Sequence, residues 1–328
     1  MERGIERVLE GFLAECRQEA VTIDPRLGNL VDELQATVGS GGKRLRPRLL
    51  LWGYRAGGST VDEPVMRAAA SLELLHTFAL IQDDVMDQSA TRRGRPASHV
   101  TLAAEASRDA ARFGESAAIL LGDLALIWAD RLMVESGFSG ARLAAGLAVY
   151  NALRTEVTLG QYLDVLLAHG DRPTEEGALQ VDRYKTATYT VQRPIQLGLA
   201  LAGAAVEAID AVPAYAVPAG IAFQLRDDLL GAMGDPGRTG KPSGEDLLSQ
   251  KPTWLWARTL RLAPQAAEMT DLEVLRRAVV ESGAASDAES KIGELAAEAL
   301  AAARRLPVPS ELREELVAMT EQMVVRTS

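Results

Sequence analysis

One cysteine, Cys16, stands in a chain of 328 residues, so neither a disulfide framework nor a cysteine-built zinc site can be assembled. Histidine is nearly as scarce. His76, His99 and His169 do not supply the paired Glu-x-x-His motifs that di-iron helical bundles need. Aromatics make up only 5% of the chain, while Ala and Leu dominate an apolar fraction of 47%. That balance favours helices over sheets and provides ample material for a core. No alternating Val/Ile/Thr run suggests a strand, and there is no fixed-period repeat or low-complexity tract. Long apolar runs are also missing. Leu197 to Val206 is ten residues, and Ser116 to Ala129 is interrupted by Asp123, against the ~20 needed to cross a bilayer. Met1 to Glu10 has no apolar stretch of the signal-peptide kind. With the lone thiol, this points to a reducing cytoplasm.

Positive charge is in deficit. Lys and Arg number 35 against 45 Asp and Glu, a net charge of −10. That argues against nucleic acid as a partner. An anionic ligand would need a local basic cluster or a metal ion.

Periodicity predicts helices over most of the chain, among them 62–88, 98–110, 115–136, 140–168, 174–188, 190–206, 210–233 and 244–262. Residues 234–252 are rich in Gly, Pro and charge, yet helical patterns resume on both sides. They read as a loop over a site, so one helical domain spanning 1–328 is expected.

Two acidic clusters punctuate this pattern. A strongly apolar helix ends in Asp83-Asp84-Val85-Met86-Asp87, with Asp83 and Asp87 one turn apart on one face. Like charges at i, i+4 repel, and a hard divalent cation such as Mg²⁺ relieves them. Gln224, Asp227 and Asp228 repeat the logic on a second helix, with Gly231 where a third acid would mirror Asp87. Two such helices are expected to face each other across a cavity.

Basic residues gather at Gly and Pro breaks. Gly41-Gly42-Lys43-Arg44-Leu45-Arg46-Pro47 puts flexible backbone before cations, and Arg92-Arg93-Gly94-Arg95-Pro96 follows the first acidic cluster. Lys185-Thr186, Lys241 and Lys251 add more. A diphosphate held with Mg²⁺ satisfies both sets of charges.

The ordered set GGKRLRP, DDVMD with RRGRP, KT, FQLRDD and GKPSGEDLLSQKPT resembles the trans-isoprenyl diphosphate (polyprenyl) synthases, most of all bacterial geranylgeranyl diphosphate synthases. The resemblance implies an all-α bundle of the isoprenoid synthase type around a central cavity, and usually a homodimer, for which residues 98–136 are apolar enough. It implies Mg²⁺-dependent condensation of dimethylallyl, geranyl or farnesyl diphosphate with isopentenyl diphosphate, using three ions. By that likeness Asp83, Asp87 and Asp227 bind metal directly, with Asp84 and Asp228 completing the motifs. Arg92, Lys185, Thr186, Gln224, Lys241 and Lys251 hold the allylic diphosphate. Lys43, Arg46, His76 and Arg93 hold isopentenyl diphosphate, and Gln161 lines the cavity. Phe78 and Ala79, five and four residues before Asp83, are placed to set product length, with Phe78 as the floor. The chain departs from the family pattern at Gly231, at Gln82 (His in many members) and at Lys251-Pro252-Thr253. A terpene cyclase, the alternative class, needs no second diphosphate pocket, so Lys43, Arg46 and Arg93 favour condensation. A non-catalytic subunit need not keep these charges.

Overall fold

The computed structural model describes residues 2–170, 172–234 and 244–324. The described residues are helical almost throughout, as composition predicts, and divide into two compact units.

The first unit comprises residues 1–54 and 60–143. Its axis is α4 (Glu63–Met86), which packs against α1 (Glu2–Ile23), α2 (Leu27–Gly39), α5 (Ser98–Ala103) and α6 (Ala110–Val134). Asp62 starts α4 by accepting a hydrogen bond from the Val65 N–H, and Pro64 occupies the first turn, where no donor is needed. Residues 68–70, Leu72, Leu74 and Leu75 are buried, so α4 is apolar nearly all round until it reaches its acidic end. α3 (Leu45–Ala56) adds the buried Trp52 and Tyr54, the latter edge-on to Phe138.

The second unit comprises residues 55–59 and 144–328. α7 (Gly140–Ala168) leads into it, followed by α8 (Glu175–Val181), a π-helical segment (Asp182–Gln192) and α9 (Arg193–Ala202). After α10 (Val206–Asp210), α11 (Val212–Met233) packs against the π segment and against the helix Ala284–Ala303. The stretch 206–233 is long and apolar enough by length and composition to cross a membrane, which run-by-run inspection of the sequence misses. Yet Tyr215, Ala216, Ala219, Ile221, Ala222, Leu225 and Leu229 on α11 are buried in the unit. α11 therefore serves as a core helix, whereas α10 buries none of its residues.

Other differences from the sequence expectation have local causes. The break expected between 188 and 190 is absent: α8, the π segment and α9 run on as one element. Its widened turns end where Pro194 has no N–H to give. The helix expected over 98–110 stops at Ala103, and the one over 244–262 is two helices, Glu245–Leu248 and Trp254–Leu262. Pro252 forces the separation, and the Thr253 hydroxyl caps the second helix by accepting from the Trp256 N–H at 3.2 Å. A two-stranded ribbon also forms, β1 (Thr91–Arg92) with β2 (Arg95–Pro96). Its two-residue turn, Arg93-Gly94, has φ of 53° and 74°, both in the left-handed region that a type I′ hairpin requires.

The π segment is approached closely from two sides. A Cβ on Gly220 of α11 would lie 2.4 Å from the Ala187 Cα, and one on Gly160 of α7 would lie 2.7 Å from the Lys185 N. Glycine-to-alanine in a helix normally gains about 1 kcal/mol. At Gly220 the obstructing atom is backbone and cannot retreat, so overpacking wins. Gly220→Ala is expected to lower stability by about 1–3 kcal/mol, read as a lower urea midpoint with an unchanged m-value.

Candidate active site: two clusters of like charge

In the first unit the acidic motif ends α4. Asp83 lies in the last turn, and the Asp87 N–H caps the helix by donating to the Asp83 carbonyl at 2.8 Å. Carboxylates at a helix C-terminus add to the negative end of its dipole, so the placement is unfavourable without a cation. The hairpin supplies one. Arg92 donates through Nε to Asp84 Oδ1 at 2.8 Å, again through Nη2 to the same oxygen, and through Nη2 to Asp83 Oδ2 at 3.3 Å. Asp84 is buried and taken up by this pairing, whereas Asp87 is exposed and Asp83 partly so. Burial raises the Asp84 pKa even against the pull of Arg92. Burial works against charge on Arg92 too, but its bond to Asp84 prevails and raises its pKa.

Two turns back along α4, His76 is surrounded by cations. Burial, then Arg46, Arg93, Arg92 and Arg44 in that order, hold its pKa well below the ordinary value, so the imidazole is neutral. Arg93 is itself depressed by burial and by Arg44, Arg92 and Arg46, with Glu73 opposing. The hairpin turn is tied to the glycine loop by a hydrogen bond from Arg93 Nη1 to the Gly41 carbonyl. Three of the four residues expected to bind isopentenyl diphosphate, Arg46, His76 and Arg93, are thus neighbours. Lys43 lies on the same loop and is exposed.

Arg44 behaves differently from the other cations of that motif. Its side chain is buried, ion-paired with the buried Glu73, and bonded through Nη2 to the Val38 carbonyl at 2.8 Å. Its role is structural, and Glu73 is thereby spent. Gln82, on α4, donates to the Ile119 carbonyl of α6 at 3.2 Å, which binds helix to helix. Phe78 and Ala79 are partly buried.

In the second unit, Lys185 of the π segment donates to Asp164 Oδ2 of α7 at 2.6 Å. The Thr186 hydroxyl donates to Gln224 Oε1, and Gln224 Nε2 donates to Asp228 Oδ1, both at 2.7 Å. This relay fixes Asp228, which is buried, while Asp227 is exposed. Arg226 is directed elsewhere, to Glu289 and the Val324 carbonyl. Burial, aided by Asp246 and Asp227 and opposed by Gln224 and Lys251, pushes the Asp228 pKa up to about 7. Asp246 stands close to Gly231: a Cβ there would lie 3.1 Å from Asp246 Oδ2. The missing third acid of the motif is therefore matched by a carboxylate arriving from another segment. Lys251 is held by its own N–H, which donates to the Asp246 carbonyl at 2.8 Å. Gln161 is partly buried on α7. Lys241, with residues 235–243 of the expected lid, lies outside the described residues.

These carboxylates fit a divalent cation of the Mg²⁺ type. Among the described residues no three His, Cys, Asp or Glu side chains converge as a ready-made metal cage. Mg²⁺ rarely uses one, because it keeps waters and takes phosphate oxygens as ligands. The buried Asp182 Oδ2, which has no hydrogen-bond partner among the described residues, and Asp228, whose pKa burial raises, mark carboxyl groups whose ionised forms a nearby cation would favour. Asp182 escapes a reading of the sequence, while Asp164 and Asp246 leave traces there only as unassigned members of LGQYLD and GKPSGEDLLSQKPT.

Removing one partner of the Arg44–Glu73 pair leaves the other charged and buried. Glu73→Ala is expected to cost about 3–5 kcal/mol in urea unfolding, whereas Lys43→Ala, at an exposed position, leaves the unfolding free energy within ~0.5 kcal/mol of wild type.

Comparison with known proteins agrees with the geometry. Residues 29–289 match the polyprenyl synthetase family. The chain superposes on the crystal structure of a geranylgeranyl pyrophosphate synthase from Corynebacterium glutamicum, complexed with isoprenyl diphosphate and magnesium, with a TM-score of 0.92 and 36% identity over 98% of this chain and 97% of that one. It is 33% identical to the geranylfarnesyl diphosphate synthase of Aeropyrum pernix over 88% of this chain and 91% of that protein. It is 35% identical to a geranylgeranyl diphosphate synthase of Mycobacterium tuberculosis over 73% and 64%. The all-α architecture is thus that of the isoprenoid synthases, and the chain belongs to the polyprenyl synthetase family, as a trans-prenyltransferase of the kind that makes short-chain isoprenyl diphosphates.

Proposed function

We propose that residues 1–328 work as one catalytic domain, an Mg²⁺-dependent geranylgeranyl diphosphate synthase that condenses an allylic diphosphate with isopentenyl diphosphate. The observation that carries this reading is the crowd of arginines around a neutral His76. Arg46 and Arg93, with Lys43 on the same loop as Arg46, would draw in an anion that lowers their mutual repulsion. A terpene cyclase has no use for such a second diphosphate site.

Asp83, Asp87 and Asp227 would hold the magnesium ions, three by family likeness. Bound there, magnesium supplies Lewis-acid neutralisation of the departing diphosphate. Asp84 keeps Arg92 at the first motif, and Asp228, fixed by Gln224 and Thr186, keeps the second in register. Lys185, Lys241 and Lys251 would bind the allylic diphosphate, Lys185 exchanging Asp164 for a phosphate oxygen. Lys43, Arg46 and Arg93 would then hold isopentenyl diphosphate with its double bond toward the allylic carbon, and neutral His76 can give that diphosphate a hydrogen bond without adding charge. Orientation of the two partners accounts for much of the rate. The loop 234–252, with Gln161 lining the cavity, would exclude water from the allylic cation.

The relatives named above make products of different length, so chain length must come from this chain's own residues. One helical turn is ~5.4 Å, which sets Phe78 and Ala79 about a turn below Asp83. Phe78 as floor, with small Ala79 above it, suits a twenty-carbon product. A homodimer through α6 is part of the proposal. Phe113, Leu120, Ile127 and Val134 are exposed and repeat every seven residues along it. The lone buried thiol suits a reducing cytoplasm.

Purified chain with labelled isopentenyl diphosphate, farnesyl diphosphate and Mg²⁺ is expected to yield geranylgeranyl diphosphate, and Asp83→Ala to lower the rate by about 10²-fold or more. A hydrocarbon formed without isopentenyl diphosphate would instead show a cyclase. Phe78→Ala is expected to lengthen the product by at least one isoprene unit in mass spectrometry, and an unchanged product would remove Phe78 as the floor.

A further inference from the structure

Asp182 opens the π segment, three residues before Lys185 and four before Thr186. It is only 6% exposed, and its Oδ2 has no hydrogen-bond partner among the described residues. Burying a carboxylate with an unsatisfied oxygen is unfavourable, so such a group survives where something else needs it. Its electrostatic neighbours say what that is. Burial first, then Asp228 and Asp164, hold its pKa well above the ordinary carboxylate range, with Lys251 opposing. Asp164 is already paired with Lys185. Lys251 acts on Asp182 and Asp228 alike, and Asp228 also feels Asp246 and Asp227. One ammonium group is shared among more carboxylates than it can neutralise. The wide π turns bring Asp182, Lys185 and Thr186 to this cluster, in keeping with the tendency of such turns to occur at functional sites.

We propose that Asp182 is a positioning residue for the divalent cation of the second aspartate motif, acting through Asp228 and through the water shell of the ion. With the cation in place its buried carboxylate supplies negative charge behind Asp228, so the cation is held more tightly than Asp227 and Asp228 alone would hold it. The inference rests on the magnesium-dependent reading of this site. It differs from a structural role in one respect: the unliganded protein gains nothing from Asp182.

The test compares full-length wild type with Asp182→Asn. Manganese affinity is measured by electron paramagnetic resonance in the presence of inorganic diphosphate, and melting is followed with and without Mg²⁺ and diphosphate. The variant is expected to melt at or above the wild-type temperature without ligands, to lose about ten- to a hundredfold in Mn²⁺ affinity, and to lose most of the ligand-induced rise in melting temperature. Its KM for isopentenyl diphosphate stays unchanged. Wild-type Mn²⁺ affinity in the variant overturns the proposal. A variant that fails to fold, or that melts lower without ligands, also overturns it and assigns Asp182 to the scaffold. If wild type itself binds no Mn²⁺ with diphosphate, the magnesium reading fails first and the inference with it.

Discussion

Like charges held close together, without enough counter-charge among their neighbours, are the constraint on which this structure turns. In the first unit Arg44, Arg46, Arg92 and Arg93 press on one neutral histidine, with Glu73 opposing Arg44 and with Asp83 and Asp84 opposing Arg92. In the second, Asp164, Asp182, Asp227, Asp228 and Asp246 outnumber Lys185 and Lys251. A fold optimised for stability alone would disperse these groups. An enzyme that must bind diphosphate and a divalent cation gains from leaving both arrangements short of their complement.

The helices create these arrangements by where they stop. α4 delivers three acids at its C-terminal end, where the helix dipole makes them worse neighbours. The hairpin that follows returns Arg92 to Asp84 and Asp83 and sends Arg93 to the glycine loop. In the second unit the π segment, pressed by Gly160 and Gly220, sets Lys185 and Thr186 against Asp164 and Gln224. The two pairings of Arg44 and Arg92 show how similar residues part ways. Arg44 is locked to a buried Glu73, while Arg92 clasps carboxylates that a metal ion would also seek.

Much of this was legible in the sequence because chemistry-bearing residues stand in short ordered motifs. The helical class, the aspartates and most cations could be named from local spacing. Other features could not, for reasons that are three-dimensional. Asp182 carries no motif and Asp164 only trails Gln161 in LGQYLD, and their importance comes from their places beside Asp228 and Lys185. Gly231 reads as a missing acid until Asp246 arrives from a distant segment. The π segment looks like a helix break, because its widened turns follow from close backbone approach and not from any residue type. Arg44 cannot be told from Lys43 and Arg46 until the burial of Glu73 is seen.

The central claim is that Asp83, Asp87 and Asp227 bind divalent cations together with diphosphate. Anomalous diffraction from crystals grown with Mn²⁺ and a non-hydrolysable bisphosphonate tests it most directly. Manganese peaks within coordination distance of all three carboxylates are the expected result. Bisphosphonate bound by the lysines and arginines with no manganese peak beside these aspartates would contradict it.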